Sequence, residues 1–111
     1  MALLLDERTA HMAGEVILGE GPLAVRCRVT VEWLQGIREP TWYGYLIPLD
    51  EDVSVLPGRY GARIGASAVE VLVRRPCLLE GTLCFPFWGL AAPPEISAAD
   101  MEPLLLLDDA E

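Results

Sequence analysis

Between Pro22 and Gln35 the chain alternates without interruption. Leu23, Val25, Cys27, Val29, Val31 and Trp33 share one parity, and Ala24, Arg26, Arg28, Thr30 and Glu32 share the other. Successive side chains of a strand point to opposite faces, so this pattern predicts a long strand with one face in a core and one in water. No helix satisfies it, because a helical stripe repeats every three to four residues. The rest of the chain is punctuated for the same architecture. Ten Gly and nine Pro in 111 residues place a turn every 8–12 residues, the rhythm of a small sandwich or barrel.

Further strands follow from the same test. Thr41 to Leu49 is rich in aromatic and branched residues and stops at Asp50-Glu51-Asp52. After the Pro57-Gly58 turn, Tyr60, Ala62 and Ile64 alternate with Arg59, Gly61 and Arg63, and beyond Gly65-Ala66 a second arm carries Val69, Val71 and Val73. Thr82 to Trp88 is expected to put Leu83, Phe85 and Phe87 on the core face, with Pro86 marking an edge strand or a bulge. Glu15 to Glu20 reads as a short strand, and residues 2–5 as a strand or the start of a helix. The expected fold is all-β: one small antiparallel β-barrel or sandwich of six to seven strands over residues 1–90. Residues 91–111 form a short acidic tail, where Ser97-Ala98-Ala99-Asp100 has the spacing of a capped helical turn before Leu104 to Leu107.

Charge narrows the function classes. Eight Arg and no Lys face 17 acidic residues, for a net charge of −9. Nucleic-acid affinity rests on neutralising phosphates, so this balance argues against a dedicated DNA or RNA binder. The charge is also uneven: residues 91–111 hold six acids and no base. On the solvent parities of the strands, Arg26, Arg28, Arg59, Arg63 and Arg74 outnumber Glu32 and Glu70. If neighbouring strands bring these rows together, the wall carries a basic stripe onto which the acidic leucine-rich tail folds, in cis or on a second copy. Exposed ion pairs contribute only about 0–1 kcal/mol each, so leucine burial would have to dominate that contact.

Catalytic motifs are wanting. His11 is the single imidazole, expected in a loop or on the surface, and no Gly-x-Ser-x-Gly elbow accompanies it. Asp50 and Asp52 sit in a polar turn, where solvated carboxylates keep low pKa values. Gly58, Gly61 and Gly65 open no helix and so cradle no phosphate. Cys77 and Cys84 are too far apart for a metal knuckle, so neither metal nor cofactor is expected. The start of the chain has no basic leader, and no apolar window approaches the ~20 residues of a spanning helix. The expected setting is cytoplasmic, with Cys27, Cys77 and Cys84 reduced apart from an occasional Cys27–Cys84 bridge.

The strand from Thr41 is apolar on both sides, with Trp42 and Leu46 on one and Tyr43, Tyr45 and Ile47 on the other. Such a strand is either central in a barrel or lends one face to a partner. The candidate binding residues are therefore Trp42, Tyr43, Tyr45, Arg26, Arg28, Arg59 and Arg63. Three readings follow. The leading one is a non-catalytic interaction or accessory module that self-associates, with a further protein partner left open. A second is a binder of a small apolar or anionic ligand that uses Trp42, Tyr43 and Tyr45 with Arg59 or Arg63. The third is a single-strand nucleic-acid module masked by its acidic tail.

Gly21-Pro22-Leu23 leading into Val25-Arg26, Pro40-Thr41-Trp42-Tyr43-Gly44-Tyr45-Leu46, Gly58-Arg59 and the closing segment Gly81 to Gly89 together resemble a small bacterial all-β domain family of unknown function. Its members occur alone or appended to flavin-dependent oxidoreductases. The likeness covers about residues 14–90, and its most specific element is the Trp-Tyr-Gly triplet. It implies a small barrel-like fold and supplies no catalytic residue. This chain has no dinucleotide-binding portion, so the resemblance does not imply a flavin.

Overall fold

The computed structural model describes residues 4–50 and 52–97. Seven strands follow one another: β1 (Leu4–Leu18), β2 (Gly21–Leu34), β3 (Thr41–Pro48), β4 (Gly58–Ile64), β5 (Ser67–Val73), β6 (Cys77–Leu79) and β7 (Thr82–Leu90). No helix occurs among the described residues. Every pairing is antiparallel. The order β3-β2-β1-β4-β5-β7 closes on itself through β3–β7, which makes a six-stranded barrel. β6 stays outside it, paired only with β7.

β2 behaves as its alternation predicts. Val25, Cys27, Val29 and Val31 are buried, and Leu23 and Trp33 pack against the core margin. Each buried valine contributes about 1.5–3 kcal/mol. β1 departs from expectation, since the segment read as two short pieces is one 15-residue strand paired along β2. Its inward residues include Ala10, Met12, Gly14 and Val16, too small or too mixed to display a period of two. The regular strand beside it imposes the register that β1 itself does not advertise.

Closure is concentrated on Trp42. Its ring is 2% exposed and meets Phe87 of β7 edge to face, with centroids 5.7 Å apart. Its Nε1–H donates to the Ala91 carbonyl at 3.1 Å. A Cβ on Gly89 would run into the indole, and one on Gly44 would run into the Arg28 carbonyl. The glycine of the Trp-Tyr-Gly triplet thus sits where β2 and β3 leave no room for a side chain.

β7 corrects two expectations. Leu83 is 44% exposed and outside the core, whereas Cys84 and Phe85 are both buried, so the alternation breaks between them. The cause is a change of partner: residues 82–84 pair with β6 outside the barrel, and Phe85 is the first to pair with β3. Pro86 does not make β7 an edge strand, because β7 pairs with both β3 and β5. The β5 ladder ends at Val73↔Phe87, because Pro86 has no N–H to return a bond to Arg74. Its carbonyl accepts from Arg74 N–H at 2.8 Å.

Two irregular segments complete the core. Val55, between β3 and β4, is 2% exposed. Beyond β7, Pro94 is buried, Ile96 packs on the core, and Glu95 N–H donates to Ser67 Oγ at 3.0 Å. Residues 91–97 therefore pack with the barrel. Apart from Ser97, the expected helical turn and Leu104 to Leu107 lie outside the described residues.

Replacing Gly44 or Gly89 by alanine overpacks the closure. Each should lower stability by about 1–3 kcal/mol, read as a lower urea midpoint with an unchanged m-value. A variant as stable as the parent would show that the contact at that glycine is not tight.

Candidate functional site

The outward face of β2 carries Arg26, Arg28, Thr30 and Glu32, and the register sets each in a row across three strands. Arg28 lies between His11 of β1 and Tyr45 of β3, and Arg26 between Ala13 and Ile47. Thr30 lies between Thr9 and Tyr43, and Glu32 between Glu7 and Thr41. Directly opposed side chains have their Cβ atoms about 4.5–5.5 Å apart, close enough to act on one another.

The rows differ in chemistry. Thr30 is only 4% exposed, and its hydroxyl is 3.1 Å from that of Thr9, which keeps the buried oxygen bonded. Tyr43 Oη–H donates to Glu32 Oε2 at 2.9 Å, while its ring meets Trp88 edge to face. Burial pushes the Tyr43 phenol up to about 12, helped by the hydrogen bond to Glu32 and the charges of Glu32 and Glu7, against the opposing pull of Arg28. Trp88 is capped in turn by the Arg74 guanidinium, 5.4 Å from the ring centroid. The wall runs from an acidic end at Glu7 and Glu32 to a basic end at Arg28 and Arg26.

Over that basic end stands the β6–β7 hairpin. Leu79 and Cys84 face Arg26, Arg28, Tyr45 and Ile47 across a groove of about 410 Å³, with His11 at its margin. A second hollow of about 560 Å³ shares Arg26 and Ile47 and continues towards Leu49, Asp50 and Leu83. The hairpin turns at Glu80 and Gly81, both with positive φ, as a two-residue connection requires.

Of the candidates named from sequence, Arg26, Arg28, Tyr43 and Tyr45 share the outer wall. Trp42 does not join them: it is core, where its ring closes the barrel. Arg59 and Arg63 lie on β4, separated from β2 by β1. Arg59 pairs with Glu70 at 3.4 Å, and Arg63 stands opposite Glu15. The single basic stripe expected from parity does not assemble, because β1 and its carboxylate intervene. His11, expected in a loop or on the surface, is an exposed residue of β1. Leu79 and Cys84 were not legible as lining residues, since only the hairpin's placement brings them over β3.

The cysteines are free thiols. Burial pushes Cys27 up to about 12 and raises Cys84, whose cross-strand neighbour is Cys77. Cys27 and Cys84 are held as neutral thiols, poor nucleophiles and poor metal ligands. Among the described residues no cluster of three or more His, Cys, Asp or Glu gathers, and no helix is long and apolar enough to cross a membrane. Comparison with known proteins finds no matching family model, no matching curated protein and no matching solved structure. The likeness carried by the Trp-Tyr-Gly triplet therefore rests on the sequence alone.

The raised Tyr43 phenol sets a pH window. Below pH 10 both the folded and unfolded phenol are protonated; between 10 and about 12 only the unfolded one ionises, so stability falls as pH rises through that interval. Phenolate absorbance should show a step near 12 that disappears in Tyr43→Phe and moves towards 10 in Glu32→Gln. An unchanged step in Glu32→Gln would leave burial as the cause and remove Glu32 as a contributor.

Proposed function

We propose that this protein is a non-catalytic interaction module that self-associates through the free edge of β1. β1 pairs with β4 only at Gly14, Glu15 and Val16, and Ala13 O accepts from Gly65 N–H at 2.9 Å. From Leu4 to Met12 its one strand neighbour among the described residues is β2. The tight Gly19-Glu20 turn makes Leu18↔Gly21 a hydrogen-bonded pair, so even-numbered residues face β2, and the Thr9 backbone groups and the Glu7 carbonyl point the other way, with the Glu7 N–H donated to Asp6 Oδ1 at 2.8 Å. An edge of this length is a template for another strand.

A second copy is the occupant that fits best. Antiparallel pairing about a twofold axis at Thr9 sets Glu7 of each copy opposite His11 of the other, an attractive pair when the imidazole is protonated. That pairing stops where β4 takes the edge at Ala13 and Gly14, which sets Leu4 and Leu5, 49% and 62% exposed, beside β4 of the other copy. Binding rather than chemistry also suits the neutral, buried thiols of Cys27 and Cys84. We assign the cytoplasm as the setting, where all three thiols stay reduced. An accessory role agrees with the resemblance to a family whose members stand alone or beside oxidoreductases.

Light scattering at micromolar concentration should give twice the 12.1 kDa chain mass. Thr9→Pro removes an N–H aimed at the free edge and should give monomer with the β-sheet circular dichroism intact. Glu7→Lys, on the exposed outer face, should weaken the dimer about tenfold, the effect of about 1.4 kcal/mol, without unfolding risk at Thr9. A monomeric parent, or a dimer untouched by both changes, would defeat this assignment.

A further inference from the structure

The groove between β2–β3 and the β6–β7 hairpin reaches β1 at His11, Met12 and Ala13, and its lining is unusual for this chain. The protein carries a net charge of −9, yet among the described residues no carboxylate lines the groove, and its permanent charges are Arg26 and Arg28. These two lie on one face of β2, two residues and about 6.4–6.8 Å apart along the strand. Tyr45 and Ile47 extend the floor beside them, and Leu79 forms the facing apolar wall. The volume of about 410 Å³ falls within the range of about 300–1,000 Å³ usual for small-molecule sites.

We propose that this groove binds a small organic anion, an acyl or aryl carboxylate, with its apolar body against Ile47 and Leu79 and its carboxylate on Arg26 and Arg28. A guanidinium presents a planar fork that matches the two oxygens of a carboxylate. An apolar wall beside the pair lowers the local dielectric and strengthens that contact relative to open water. Tyr45, directly opposite Arg28, offers a flat surface for an aryl ring. The second hollow is a poorer host for an anion because Asp50 lines it.

The test is fluorescence titration of the full chain with 1-anilinonaphthalene-8-sulfonate, whose sulfonate stands in for the carboxylate, followed by displacement with decanoate. Saturable binding displaced by decanoate is expected. The Arg26→Gln, Arg28→Gln double variant should weaken it at least tenfold, and Arg59→Gln on β4 should leave it unchanged. Leu79→Asp, at a half-exposed position outside the barrel, should also abolish binding while the melting temperature holds. Equal binding of the uncharged N-phenyl-1-naphthylamine, or a double variant that binds like the parent, would overturn the proposal. So would displacement by a peptide of residues 98–111 where decanoate fails, since the acidic terminus would then be the occupant.

Discussion

Closure of the barrel depends on one indole against one bare backbone. Trp42 fills the space beside Gly89, meets Phe87 edge to face and hands its N–H to the Ala91 carbonyl. With those contacts β3 and β7 can pair, and the open sheet becomes a cylinder. The inward ring also settles the alternation of its strand. With Trp42 and Leu46 buried, Tyr43, Tyr45 and Ile47 must point outward.

The outer wall follows from that placement. β3 sets Tyr43 against Glu32 and Trp88, and Tyr45 against Arg28, so aromatic rings border a charged row on β2. β7 then leaves the cylinder at Cys84 to pair with β6 and carries Leu79 over the same face. A strand that changes partners partway thus does two jobs: Phe85 and Phe87 fill the core, while the preceding residues build a groove outside it. The stretch of β1 that has one strand neighbour among the described residues has a similar origin, because β1 extends well past the end of β4.

Much of this was legible in the residues and some was not. The alternation from Leu23 to Trp33 identified β2 and its buried set, and the 59–73 hairpin was read with its turn in place. β1 was not readable as one strand, since Ala10, Met12 and Gly14 show no contrast with Thr9, His11 and Ala13. Leu83 was misplaced because parity assumes a strand that keeps its partners. For the candidate site, the outward set of Arg26, Arg28, Tyr43 and Tyr45 was recognisable, but parity alone could not separate Arg59 and Arg63 from it. Which rows become neighbours depends on strand order, and β1 lies between β2 and β4.

The residues taken alone determined the β class, the turns and the face of each regular strand, because alternation and Gly/Pro punctuation act over a few neighbouring positions. Only the tertiary structure decided that the sheet closes, that Trp42 belongs to the core, and that the basic pair on β2 faces Leu79 of β6. Those outcomes rest on contacts between residues tens of positions apart, whose pairing is selected by packing and register rather than by any local preference.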